Sequence, residues 1–124
     1  MADSPLRLPE RIRSIVAIDP GAPALQFGGR WRPWSAYGTA IDGLEAVLAA
    51  HGFGPHTRVG VVVRNRPDVV RAFVAVLGTE RCIVTLSSVV PEAVMLADLE
   101  ALRLPVVVAA AVDWTDGLTA AVQA

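Results

Sequence analysis

Apolar residues in this chain recur at helical spacing in some stretches and in unbroken runs in others, and the two patterns predict its elements. In RIRSIVAI (11–18), Ile12, Ile15 and Val16 fall on one helical face before the turn cluster DPGAP. Two short apolar runs near 24–27 and 31–34 flank Gly28-Gly29, a dipeptide suited to the positive φ angles of a tight hairpin. Ser35 is placed as an N-cap. After it, Tyr37, Ile41, Leu44, Val47 and Leu48 lie close to one helical face, and Gly52 closes that helix. Gly38 and Gly43 each weaken such a helix by roughly 1 kcal/mol relative to Ala, which predicts that a neighbouring element approaches closely there.

The second half reads differently. Val59 to Val63 shows no polar alternation, the mark of a strand buried on both faces of a parallel sheet. Pro67 suits the first turn of a helix, with Asn65 or Arg66 at its cap and Val69, Val70, Phe73, Val74 and Leu77 as its inner stripe. RCIVTL (81–86) is a second continuous strand. Pro91 and Glu92 open a helix to about Arg103, in which Val94, Met95, Ala97, Leu99 and Leu102 are apolar, and Pro105 stops it. VVVAAAV (106–112) predicts a third buried strand, and Asp113 caps a last short helix with Asp116 in its first turn.

Helix, hairpin and helix, then strictly alternating β-α-β-α-β-α, define an α/β class. The expected architecture is three-layer, a mostly parallel sheet with helices on both faces plus an N-terminal β-hairpin. Residues 1–10 read as a flexible, Pro-containing lead-in, and 11–124 as a single α/β unit. Three such strands make half of an ordinary doubly wound domain.

Composition adds one complication. Hydrophobic residues make up 53% of the chain and charged residues 19%, with a mean hydropathy of +0.48. Yet the apolar runs are far shorter than the roughly 20 residues of a membrane-spanning helix. Such an apolar chain either buries its sheet on both faces or has surface that something else covers. The N-terminus has no apolar core to serve as a secretory signal, so the expected compartment is cytoplasmic. A net charge of −1 does not steer the chain toward nucleic acid or anionic membrane.

All 11 basic residues are arginine, so no reaction that needs a lysine amine can run on this chain. That excludes a lysine-dependent phosphate loop, and the two glycines of GFGPHT precede a strand rather than a helix, which excludes a dinucleotide fingerprint. Cys82 reads as a small buried hydrophobe, because neither His nor carboxylate flanks it. His51 and His56 lack the spacing of a metal pair and read as helix-end or solvent residues. Ser87-Ser88 lack a partner histidine and read as loop and cap residues. The local candidates for anion contact are Arg64, Asn65 and Arg66, at the carboxyl end of a parallel strand and before a helix N-terminus. The competing reading is a cap and two solvated arginines, since Asp68 in the same turn competes for their charge.

The ordered series resembles the opening of the AMP-forming acyl-CoA synthetases, the adenylate-forming ligase superfamily. APALQFGGRWRPWSAYGTAIDGLEAVLAAHGFGP resembles that family's hairpin, aromatic-Ser/Thr-Tyr step and amphipathic helix. TRVGVVVRNRPDVVRAFVAVLGTERCIVTLS is similar to its Asp-Arg-Val strand, its Asn-x-Pro-Glu turn, and the helix leading to a Val-Pro-Leu-Asn-Pro strand end. VVPEAVMLADLEALRLPVVVAA is similar to the helix and strand that follow. Together these cover roughly residues 11–112. His56-Thr57 replace a usual Gly-Asp, Glu80-Arg81 a usual Gly-Ala, and Thr85, Ser87 and Ser88 stand where Pro, Asn and Pro are typical.

The resemblance implies a ligase that activates a fatty or other carboxylic acid with ATP to an acyl-adenylate and then forms a thioester. ATP, Mg²⁺ and coenzyme A are implied for the full-length parent. The family's phosphate loop, adenine motif, ribose-binding Asp and catalytic Lys match no position here, so the resemblance assigns this chain no catalytic, cofactor or metal residue. The chain alone is expected to be inactive, with the remainder of the ligase, or a self-associating copy, as partner. The alternative is a stand-alone, non-enzymatic module that binds itself or a partner through its apolar face. A third reading is a nucleotide-binding module using Arg64–Arg66.

Overall fold

Residues 7–123 are described by the computed structural model. Helix α1 spans Leu8–Ile18, so residues 8–10 are helical rather than part of a lead-in. Pro9 sits in the first turn, and the Glu10 carboxylate accepts the Arg7 backbone N–H at 3.3 Å, which fixes the helix start. Residues 1–6 of the expected lead-in lie outside the described residues.

Strands β1 (Pro23–Phe27) and β2 (Arg30–Pro33) form the antiparallel hairpin, with Gly28 and Gly29 at φ 59° and 76°. Helix α2 (Trp34–Ala50) starts one residue before the predicted cap. Ser35 therefore lies inside the first turn, and its side chain caps nothing. Loop carbonyls do that work instead: Ala22 O accepts the Trp34 N–H at 3.1 Å and Pro20 O accepts that of Ser35 at 2.8 Å. Gly52 follows the helix at φ 80°.

The parallel sheet is built from β3 (Arg58–Val63), β4 (Cys82–Ser87) and β5 (Val106–Val108) in the order β4-β3-β5. Helix α3 (Pro67–Gly78) links β3 to β4, and α4 (Glu92–Leu102) carries the chain back past β3 to β5. A 3₁₀ turn (Ala111–Asp113) and α5 (Asp116–Gln123) follow. Helices thus cover both faces. On one, Val59 and Val61 pack with Val69 and Val76 of α3 and Leu48 of α2; on the other, Val62, Leu86 and Leu104 pack with Met95, Leu99 and Leu118. Helix α1 docks outside this sandwich, placing Val16 against Tyr37, Ile41 and Ala75.

Several sequence expectations change in detail. The third strand is three residues long rather than seven, because the chain turns into the 3₁₀ turn after Ala110. Cys82 opens an edge strand and is exposed, not buried. Ile15 and Val47 are 42% and 55% exposed. The buried part of α3 is Val69, Ala75 and Val76, with Val70 and Val74 half-buried under α2. Close approach holds at Gly38, where a Cβ would meet Val16 Cγ1 at 3.1 Å, but Gly43 faces open space.

The tightest approach is at Gly78. A Cβ there would lie 2.5 Å from Cδ1 and 2.6 Å from Cγ1 of Ile41, itself 1% exposed. Gly78→Ala should therefore destabilise the protein by about 1–3 kcal/mol through overpacking, even though alanine is the better helix former. Urea denaturation measures this, and Ile41→Val, which removes Cδ1, should recover part of the loss.

Candidate functional site

The carboxyl ends of β3 and β5 are where this fold can hold a ligand. These two strands are neighbours, but the helices that follow them leave to opposite faces: α3 packs with Val59 and Val61, α5 with Val62. Divergent connections open a crevice between the strand ends, the usual ligand position in open α/β sheets. Here the crevice is a cavity of about 240 Å³ between Val61, Val69 and Ala72 on one side and Val108–Ala111 on the other. Asp68 is its one charged lining residue.

Beside it, Arg64 reaches across from the end of β3 to Asp113 in the 3₁₀ turn. Arg64 Nε donates to Asp113 Oδ2 at 3.0 Å, and a second guanidinium nitrogen bonds Oδ1, a two-pronged pair. The hydrogen bonds from Arg64 hold the Asp113 carboxyl below its ordinary range against the opposing effect of burial. Asp113 was expected to cap α5. Thr115 caps it instead: its hydroxyl oxygen accepts the Leu118 N–H at 3.1 Å while its O–H donates to Glu92 at 2.6 Å.

The three anion-contact candidates are not gathered into one site. Arg64 is engaged by Asp113, and Asn65 is exposed in the turn. Arg66 N-caps α3 through extended backbone with no side-chain cap bond, and its Nε lies 3.5 Å from Asp68 Oδ1. Its side chain lines a different cleft, of about 270 Å³, between the hairpin and the starts of α2 and α3. Sequence reasoning placed Asp113 as a cap and Tyr37 on a helical face and did not select Arg32 or Arg71; Asp113 pairs with Arg64, and the other three line the hairpin cleft. No group of three or more potential metal-ligating side chains occurs among the described residues. No described helix is long and apolar enough to cross a membrane.

Asp113→Asn should lower the melting temperature at pH 7. Because the folded-state acid is weakened relative to the unfolded one, the stability it contributes is present above the unfolded value near ~3.9 and is lost as pH falls through the lower folded value. Melting curves of the two proteins should therefore converge below about pH 4; a gap that stays constant down to pH 2 would refute the pairing.

No protein-family model matches the chain, and no curated protein matches it. Solved structures do. A fused adenylation–PCP di-domain, NpsA-ThdA of Klebsiella oxytoca, superposes with a TM-score of 0.74 at 17% identity over 97% of this chain and 24% of its own. The N-terminal subdomain of Klebsiella oxytoca NpsA gives 0.71 at 19%, over 86% of this chain and 27% of its own. A benzoate CoA ligase of Burkholderia xenovorans gives 0.76 at 14%, over 97% and 24%. The chain thus spans about a quarter of the length of the proteins it superposes on. At these identities the likeness is one of fold: the chain carries the α/β fold found in the adenylation domains and CoA ligases of the adenylate-forming class.

Proposed function

We propose that this chain is the N-terminal segment of a fatty-acid or other carboxylate–CoA ligase. The reaction would join a carboxylic acid to ATP as an acyl-adenylate, releasing pyrophosphate, and then pass the acyl group to a thiol. Within it the chain serves as scaffold and as one wall of the acyl pocket, and alone it is inactive. The compartment that fits this reading is the cytoplasm.

One observation carries the proposal. The exposed apolar side chains Val63, Val89, Val112 and Trp114 follow or end the three parallel strands, with Val89 91% and Val112 73% exposed. An apolar rim on the very edge where α/β proteins hold their ligands is a surface that further chain would cover. The fold likeness to about a quarter of a larger adenylation–PCP di-domain and of a larger CoA ligase supports the reading that further chain would cover it. The residues present fit no nucleotide cradle on this edge: Arg64 is already bonded to Asp113, so a phosphate would have to displace a carboxylate. On this reading ATP, Mg²⁺ and coenzyme A would be held by the rest of the parent. The same rim also fits a second copy of the chain, as a non-enzymatic module would use it.

The test is the mass of the native species, detected in its host with an antibody to this segment. A species several-fold heavier than 13.1 kDa that catalyses acid-dependent ATP–pyrophosphate exchange is the expected result, with no exchange from the 124-residue chain. A native 13.1 kDa protein that dimerises with concentration would replace the ligase reading by the self-associating module.

A further inference from the structure

The cleft between the hairpin and the helix starts has a charge pattern that its own residues do not resolve. It is lined by Arg32 from β2, Arg66 and Arg71 at the start of α3, and Tyr37 from α2, with Asp68 as the one acidic lining residue. The hairpin register explains the first of these. Leu25 stands opposite Arg32, so both side chains share the face of the hairpin turned to the helices. Arg71 follows Asp68 by one helical turn and so shares its side of α3.

Three guanidinium groups face one carboxylate, which leaves two positive charges unmatched. Arg66 is the arginine 3.5 Å from Asp68, while Arg32 and Arg71 enter no ion pair among the described residues. Elsewhere Arg7, Arg13, Arg64 and Arg81 are each tied to a carboxylate, whereas Arg11, Arg30, Arg58 and Arg103 enter no ion pair among the described residues. What sets this cleft apart is that three arginines line one cavity with a single carboxylate. Tyr37 is 5% exposed as a residue, and its hydroxyl oxygen is not among the buried polar atoms left without a partner, so it is open to solvent. Arg32 and Arg71 line the same cleft as Tyr37; burial pushes the hydroxyl's pKa up, and Arg71 and Arg32 draw it down by less. Leu25, Phe27, Ala36 and Pro67 supply an apolar wall.

We infer that this cleft binds a phosphate monoester carried on an apolar, ring-bearing group. The dianion matches the two unmatched charges, since a phosphate monoester carries about −1.5 to −2 at pH 7. Its three oxygens suit guanidinium forks, which bond planar or tetrahedral oxyanions in pairs. The Tyr37 hydroxyl donates a further bond, and the organic group lies on Phe27 and Leu25. A cavity of about 270 Å³ takes a ligand of that size and no polymer. Nothing in this inference depends on the ligase reading, because the cleft lies on the hairpin side of α3 and uses none of the rim residues.

The probe is phenyl phosphate, titrated into the 124-residue protein and followed by calorimetry and by the rise in melting temperature. Saturable one-site binding is expected, with inorganic phosphate and benzoate each weaker by about tenfold or more. Arg32→Gln and Arg71→Gln should each weaken phenyl phosphate by about tenfold or more while leaving the unliganded melting temperature unchanged. Arg11→Gln, an exposed arginine on α1, should change nothing. Absence of saturable binding, or equal loss in the Arg11 variant, overturns the site. Inorganic phosphate binding as tightly as phenyl phosphate overturns the apolar wall, and benzoate doing so overturns the dianion.

Discussion

Everything in this fold hangs on β3, a strand with no solvent face. Val59, Val61 and Val62 are at most 1% exposed, and the strand is hydrogen-bonded on both sides, to β4 and β5. A strand so placed needs a neighbour at each edge and a helix on each face, because between Val59 and Val62 nothing is left to water and only its ends, Arg58 and Val63, are exposed. Its side chains sort by parity. Val59 and Val61 go to α3, Val62 to α4 and α5. Gly60 shares Val62's face, where a Cβ would come within 2.8 Å of Leu104 and 3.3 Å of Leu86 and Val107. That face is closed by its neighbours rather than by the strand. Because α3 and α5 must then leave in opposite directions, the carboxyl crevice follows from the burial of one strand.

The sequence carried this constraint openly. An unalternated valine run is legible as a two-face strand, and the order of elements gave the α/β class and the hairpin. What it could not carry is which strand lies beside which. The order β4-β3-β5 depends on α4 crossing β3, and no local pattern encodes that crossing. The misread residues share a cause. Ser35 and Asp113 have the right chemistry to cap a helix, but tertiary partners were better placed: carbonyls of Pro20 and Ala22 for α2, Thr115 for α5. Asp113, released from capping, was free for Arg64. Cys82 looked buried because its run is apolar, yet β4 is an edge strand and its first residue stands in the open.

The positions where the chain departs from the ligase pattern acquire a physical account. His56 stands where glycine is usual and holds φ at 68°, the left-handed region glycine adopts without strain. It is held there by its N–H donating to Glu80 O at 2.6 Å. Glu80, replacing glycine, pairs its carboxylate with Arg7 of α1. Arg81 replaces alanine; its side chain is 3% exposed and joins Glu45 of α2 to the Phe53 carbonyl, leaving its Nε without a partner. A buried guanidinium missing one bond is costly; it marks a joint where charge adds to the apolar contacts that Leu48, Phe53 and Ile83 already make between α2, the 52–57 loop and β4.

That use of arginine explains why the hairpin cleft was invisible in the sequence. In a chain without lysine, arginine must serve as clamp, surface charge and anion contact alike, so its presence at a position says little about its role. Arg64–Asn65–Arg66 drew attention because it is local, whereas Arg32, Arg66 and Arg71 come from two separate elements and meet only after the hairpin folds over α3. Their distinction lies in where they meet, three arginines around one cavity with a single carboxylate. Arg64 and Arg81 have found carboxylates, and Arg13 donates both to Asp42 and to the Gly78 carbonyl at 2.9 Å. Arg32 and Arg71 line one cleft beside a buried tyrosine. Both are exposed, so water screens their repulsion in the free protein, and a bound dianion would take up the charge that Asp68 alone leaves over.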